Sequence, residues 1–312
     1  MGRLLVSRLV SLVPTLILAT FGVFLLVHLA PGDPAVALAG DGASHEQVQR
    51  IREQEGLDRP LVIQYVDWVS HAVRGDLGTS ITTRSSISDA IRQTLPVTLQ
   101  LVAGAMVVAL VLGILAGVAS ARRANTAADA AISSAAAMGA AVPSFWLGLV
   151  LVSVFALQLG WFPATGYVGL GTDPGLALRQ LVLPSIALGI AGAAEVARQL
   201  RAVMIDQLSS DHVRTLRAKG LPARRVVWVH ALKGSAVPLI TVIGLQVSRF
   251  LGATVVVEAV FGISGIGSLV TIAARNRDYP MVEGVVVVLA VLVIATNVVV
   301  DVCYRLVDPR IR

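Results

Sequence analysis

The chain is poor in cysteine, in charge and in nucleotide-binding signatures. Its single cysteine, Cys303, excludes a disulfide framework and says nothing about redox compartment. Only 14% of the 312 residues are charged and the mean hydropathy is +0.79, which excludes a soluble domain of this length. The dipeptide Gly-Lys does not occur, so there is no Walker-type phosphate loop. Anything the protein moves uphill therefore draws on nucleotide hydrolysed by another chain. His28, His45, His71, His212 and His230 share no ligand spacing, and His45-Glu46 lacks the second histidine of H-E-x-x-H, so no metal site is expected. No repeat of fixed period and no low-complexity tract interrupts the chain.

What is abundant is apolar sequence. Crossing a hydrocarbon core of about 30 Å takes roughly 17–25 residues. Six runs meet that length: about Leu9–Ala30, Val97–Ala121, Ile132–Leu159, Leu181–Met204, Val237–Phe261 and Met281–Tyr304. The third is diluted by Ser133, Ser134 and Pro143-Ser144. The first resembles a signal peptide through Arg3, Arg8 and the Ala37-Leu38-Ala39 box. Its length, and Pro31 and Pro34 before that box, favour a retained signal-anchor helix.

A sequence pI near 10.2 raises the question of nucleic acid. The basic residues, however, follow the loops: Arg3 and Arg8, then Arg122 and Arg123, then Arg198 and Arg201 with the segment Ser210–Lys233, then Arg305, Arg310 and Arg312. With six spans these all face one side. The other side carries Pro31–Pro96, with six arginines against nine acidic residues. The positive-inside rule then puts both termini and the basic segment in the cytoplasm, and no nucleic-acid partner is expected.

Between the first two runs, "SHEQVQRIREQEGL" reads as a short helix capped by Ser44 and Gln47 and ended by Gly56. "PLVIQYVDWVSHAV" carries Leu61, Ile63, Val66, Val69 and Val73 at helical spacing and is expected to lie on the bilayer or against the spans. "RGDLGTS" marks a turn. Gly113 and Gly117 form a G-x-x-x-G, continued by Gly189, Gly192 and Gly252, as in close helix packing within membranes.

"GISG" (Gly262–Gly265) resembles the nucleophile box of rhomboid-type intramembrane proteases. That chemistry needs a histidine from a later span, and none follows His230, so a glycine-rich turn explains it better.

The basic segment is the most informative stretch. "SDHVRTLRAKGLPARRVVWVHALK" (Ser210–Lys233) holds Arg214, Arg217, Arg224 and Arg225 and both lysines of the chain, Lys219 and Lys233. Gly220 and Pro222 divide it into two short helices, a rigid protrusion rather than a slack loop. Charge retention alone would not require Gly220, Pro222 and Pro238. The wording "DHVRTLRAKGL…HALKGSAVP" resembles the cytoplasmic coupling loop of ATP-binding-cassette importer permeases, in the dipeptide/oligopeptide/nickel branch. His212 stands where that branch usually has Tyr, and Leu216 where it usually has Ala. "LAPGDPAVALAG", "RGDLGTS", "LPVTLQL", "VPSFWLGLVL", "LGWFPATGY", "LVLPSIALGI", "VVVEAVF" and the terminal "DPRIR" extend the resemblance along nearly the whole chain. The "ISGIG" after Phe261 departs from it, because proline usually precedes that turn.

The resemblance implies an all-α integral membrane protein of the bacterial cytoplasmic membrane: one permease domain over residues 1–312, an external insert at 31–96 and a coupling loop at 205–236. It implies a homologous second permease, two ATPase subunits holding the ATP and Mg, and an extracytoplasmic substrate-binding protein. The coupling residues are then Asp211, His212, Val213, Arg214, Thr215, Leu216, Arg217, Ala218, Lys219, Gly220 and Leu221, and the chain itself has no catalytic residue. The expected solute is a di- or oligopeptide; the alternatives are a nickel chelate, glutathione or another small solute. Glu195, Arg249 and Glu258 fall within or near the ends of spans. A lipid-facing ionisable group costs at least ~2.5 kcal/mol there, so all three are candidates for the translocation path. Arg249 and Glu195 are placed so that they could meet, or so that both could line the inner cavity.

Overall fold

The computed structural model describes residues 14, 16–25, 29, 34–40, 42–54 and 56–307. Arg3, Arg8 and the terminal Asp308–Arg312 lie outside the described residues, as does part of the first apolar run, of which Leu16–Leu25 (α1) is described. The described chain is helical, and the contacts divide it into two compact units.

One unit comprises Met1–Pro96 with Ser268–Ile294. After α1 come α2 (Pro34–Ala39), α3 (His45–Gln54) and α4 (Leu61–Ala72). The capping expected for α3 is present. The Ser44 N–H donates to Gln47 Oε1 at 2.8 Å, and the Gln47 N–H donates to Ser44 Oγ at 3.3 Å. Gly56 follows at φ +66°. α4 packs against α1 through the buried Tyr65, whose hydroxyl lies 2.7 Å from Thr20 Oγ1 and whose ring meets Phe21 edge-on at 5.1 Å. Its other face, with Val62, Val66 and Val73, is exposed. The turn after α4 is held by Asp278, a residue with no signal in the sequence. Its buried carboxylate accepts from Ser80 Oγ and from the N–H of Ile81 (3.2 Å) and Met281 (3.4 Å), tying the Ser80 turn to the start of α14 (Tyr279–Val307).

The other unit comprises Val97–Gly267 with Ala295–Arg312. α5 (Ile87–Arg122) supplies its first long helix, followed by α6 (Ala127–Ala141), α7 (Ser144–Leu151, continued by a wider, π-type turn over Val152–Gln158) and α8 (Pro174–Ser209). Then come α9 (Asp211–Ala218), α10 (Ala223–Arg225), a π-type turn (Val226–Ala231), α11 (Leu232–Gly234), α12 (Ala236–Phe261) and α13 (Ile266–Arg275). The third apolar run is not one straight helix. α6 and the Ser144–Gln158 segment meet at 96°. Val142, at ψ 124°, is held extended by the ring of Pro143, which excludes the helical conformation for the residue before it. Among the described residues four helices have the length and hydropathy of a span, and the bent pair makes a fifth at most; the first run lies partly outside the described residues.

α5 and α8 approach almost backbone to backbone. A β-carbon on Gly113 would lie 2.6 Å from Val196 Cβ and 2.8 Å from the Ala193 carbonyl, and one on Gly117 would lie 2.9 Å from the Ala197 carbonyl. From the other helix, a β-carbon on Gly189 would lie 2.7 Å from the Ala105 carbonyl. The G-x-x-x-G expectation holds at these positions, but Gly252 faces open space and takes no part.

Beside this seam, Arg201 of α8 grips Asp129 of α6 bidentately, Nε to Oδ1 at 2.7 Å and a terminal nitrogen to Oδ2 at 2.6 Å. Ser120 Oγ and the Asn125 N–H (2.9 Å) also donate to Asp129. Charge counting had assigned Arg201 a topogenic role only. The outer faces of the long helices expose Val107, Val111, Leu115, Val291 and Val299, side chains that hydrocarbon or another apolar chain must solvate.

Gly113→Leu is expected to destabilise the protein by about 1–3 kcal/mol through overpacking, whereas Gly252→Ala, with nothing within 4 Å of the new methyl group, should not. Thermal unfolding of the two variants in one detergent checks this.

Candidate functional site

The segment 205–236 is built as two capped pieces. α8 ends at Ser210, and this residue opens α9: its Oγ accepts from the Val213 N–H at 3.4 Å and donates to the Gln207 carbonyl at 2.7 Å. α9 closes in a Schellman motif, with the Leu221 N–H on the Leu216 carbonyl (3.2 Å) and the Gly220 N–H on the Arg217 carbonyl (2.9 Å). Gly220 stands at φ +78°, where an L side chain is strained, and a β-carbon there would meet no atom of this chain. Pro222, extended at ψ 141°, then starts α10.

Burial gives α9 an inner and an outer side. Val213 is 1% exposed, and Leu216 and Leu221 are half-buried. Asp211, His212, Arg214, Thr215, Arg217, Ala218, Lys219 and Gly220 are exposed. The Arg214–Asp211 pair, 3.4 Å apart and open to solvent, adds little stability. Anchorage comes from behind. Val227 and Ala231 of the π-type turn pack in one apolar cluster with Val118 and Ala121 of α5 and Leu200 and Met204 of α8. The segment is thus a rigid projection with a polar outer surface, seated on the ends of two long helices.

The path candidates separate. Glu195 and Arg249 line one cavity of about 360 Å³ together with Ser144, Arg198 and Gln246. They do not bond to each other: Glu195 pairs with Arg198, one turn along its own helix. Arg249 is exposed. The cavity therefore presents one carboxylate and two guanidiniums.

Glu258 lines neither this cavity nor the other described one. It is 0% exposed and accepts a 2.6 Å hydrogen bond from Thr98 Oγ1, which in turn accepts from the Ile266 N–H at 2.8 Å. A β-carbon on Gly265 would lie 2.3 Å from Glu258 Oε1, and one on Gly267 3.0 Å from Oε2. These glycines leave room for a carboxylate, and Gly262, at φ +60°, caps α12. Exposed Ser264 stands apart from that role, which gives the "GISG" glycines a packing explanation. The short segments "LPVTLQL" and "VVVEAVF" meet here, a pairing of Thr98 with Glu258 that no linear spacing announces.

Residues 109–312 match the family described as binding-protein-dependent transport system inner membrane component, and residues 1–102 match its N-terminal counterpart. The chain is 38% identical to a Sinorhizobium fredii protein named "probable peptide ABC transporter permease protein", over 312 residues and the full length of both. It is 39% identical to the glutathione transport system permease protein GsiC of Escherichia coli K12, over 98% of each chain. In fold it is similar to a chain of the MetNI methionine ABC transporter in an inward-facing conformation, with a TM-score of 0.59 at 16% identity, covering 70% of this chain and 96% of that one. The multi-pass helical architecture, the capped projection and full-length similarity to permeases agree: the chain belongs to the binding-protein-dependent transport system inner membrane component family, the permease subunits of ATP-binding-cassette importers.

Proposed function

We propose that this protein is the permease subunit of a peptide importer, one half of a translocation pathway driven by separate ATPase subunits. The observation that carries the coupling role is the closed, rigid geometry of α9. A helix capped at both ends and nailed down by Val213 transmits displacement, whereas a slack loop would absorb it. An ATPase shifts a membrane equilibrium only through contacts that differ between two states. The exposed row from Asp211 to Gly220 is the surface offered for such contacts, and the cluster under Val227 and Ala231 carries movement into α5 and α8. ATP and Mg belong to the partner ATPases, and a substrate-binding protein delivers solute to the opposite face. A homologous second permease completes the pathway in this bacterial cytoplasmic membrane assembly.

In this reading both termini and the segment 205–236 are cytoplasmic and the insert 31–96 is external, as positive-inside counting requires. A peptide is favoured as solute by the names of the full-length relatives and by a cavity bearing both signs of charge, since free peptides carry an ammonium and a carboxylate. Glutathione, itself a charged peptide, remains the alternative within the same chemistry.

Orientation is tested with Cys303 replaced and single cysteines introduced. An impermeant thiol reagent added to intact cells should label Ser44→Cys and Ser85→Cys but neither Ala127→Cys nor Ala223→Cys. External labelling at Ala223→Cys would remove both the orientation and the coupling role.

Gly220→Leu forces a side chain into a left-handed position at a cost of about 1 kcal/mol and fills the outer surface of α9. Membrane insertion should be normal and solute-stimulated ATP hydrolysis should be lost. Wild-type uptake at equal expression would refute the coupling assignment.

For the cavity, Arg249→Gln should lower uptake of free peptides by about tenfold, the loss of one charged hydrogen bond, and spare C-terminally amidated peptides. Equal loss of both substrates would make Arg249 a structural residue, as measured by competition uptake.

A further inference from the structure

A second and larger cavity, of about 610 Å³, lies wholly within the unit that contains the insert and the start of α14. Its size falls in the range of small-molecule sites, roughly 300–1,000 Å³. Three carboxylates and one guanidinium line it: Asp67, Asp76, Glu283 and Arg59. Two of the carboxylates are occupied. Asp67 pairs with Arg59 at 3.0 Å, and Asp76 Oδ1 accepts from the Gly78 N–H at 2.9 Å. The His71 ring, another titratable group of the wall, is engaged by the Asp67 carbonyl at 2.8 Å.

Glu283 differs from its neighbours. It is 5% exposed, and its Oε1 is the one buried side-chain oxygen or nitrogen without a hydrogen-bond partner among the described residues. A buried polar atom left unpaired is costly, so such an atom at a cavity wall marks the place of a missing donor. At the adjacent Gly284 a β-carbon would lie 2.8 Å from Ile87 Cγ2 and 3.6 Å from Leu77 Cβ, so this turn of α14 is pressed against the turn that walls the cavity. Among the described residues the wall carries three carboxylates, with His71 beside them, against one guanidinium, which favours a cationic donor. It is organic, because the wall also presents Trp68 and Tyr279, whose ring faces favour ammonium groups. Among the described residues no three His, Cys, Asp or Glu side chains gather to hold a metal ion.

We propose that this cavity binds a primary ammonium group, with Glu283 as its carboxylate partner. The chemistry is shared by the amino terminus of a small solute and by an ethanolamine lipid headgroup. With the insert external, the site would hold the amino group of an incoming peptide before it enters the path; that step alone rests on the topology and substrate proposed above.

The test reads the cavity and not transport. The full-length chain, assembled with its partner subunits in phosphatidylcholine/phosphatidylglycerol nanodiscs, is irradiated with a diazirine-bearing primary alkylamine. A parallel sample receives the N-acetylated twin, and crosslinks are mapped by mass spectrometry. The amine should label the Trp68–Asp76 and Tyr279–Glu283 segments at least about tenfold more than its twin, the difference expected for one charge-assisted hydrogen bond. Glu283→Gln should bring the two probes to the same level while the assembly stays intact. Protection by trialanine but not by phosphatidylethanolamine in the discs assigns the site to a solute, and the reverse assigns it to a lipid headgroup. Equal labelling of wild type by both probes overturns the proposal whatever the variant does. So does protection by sodium chloride equal to that by n-butylammonium chloride, because the cavity would then hold an inorganic ion. Loss of peptide uptake with labelling intact would instead count against the transport reading.

Discussion

The close approach of α5 and α8 is the constraint on which the second unit depends. Lipid gives apolar helices no hydrophobic reason to associate, so contact must come from packing at short range. Gly113, Gly117 and Gly189 provide it by presenting backbone where any other residue would present a β-carbon. Once the two helices are in register, Val118, Ala121, Leu200 and Met204 lie together and form the seat for the projecting segment 205–236. The same register brings Arg201 within reach of Asp129, so that the turn between α5 and α6 is held by a bidentate pair.

Charge inside the described helices is handled in three different ways. Asp129 is satisfied by Arg201, Ser120 and a backbone N–H, which makes it a structural clasp. Glu258 is buried under two glycines and bonded by Thr98, as part of the packing at the end of α12. Glu195, Arg198 and Arg249 are left around a cavity, where water or solute can reach them. An ionisable group in a span is therefore only a starting point for assigning function. What surrounds it decides between clasp, core and path.

The projecting segment works by the opposite logic. Its outer residues are polar and exposed, and its stability comes from caps and from a few apolar side chains on the inner side. Ser210, Gly220 and Pro222 set where the helix starts, stops and turns, which is a local matter of backbone conformation. Val213, Val227 and Ala231 set what it is fastened to. A rigid projection needs both kinds of residue, and only the first kind is legible from neighbours in the chain.

How much was legible follows from this division. Hydropathy identified the membrane class, because a span needs only length and apolar composition. The α3 cap at Ser44 and Gln47, the stop at Gly220 and the small-residue seam at Gly113 and Gly117 were readable too, since each depends on residues within a few positions. In the third apolar run the sequence shows Pro143 only as a dilution of apolar character, whereas in the structure its steric effect on Val142 accompanies a bend of 96°. Of the two arrangements open to Glu195 and Arg249, a direct pair or a shared cavity, the structure shows the second: both line one cavity, and Glu195 pairs with Arg198, three residues away. Asp129 and Asp278 gave no signal, because their partners lie 72 and 198 positions away in Arg201 and Ser80. The sequence by itself determined where the short capped helices start or stop, as at Ser44 and Gly220, and which solvent the long helices need, since those are properties of local backbone sterics and side-chain transfer energy. Only the tertiary structure decided which buried charge is paired, which is packed and which is left facing a cavity, because that depends on the few ångströms between side chains that the chain brings together from far apart.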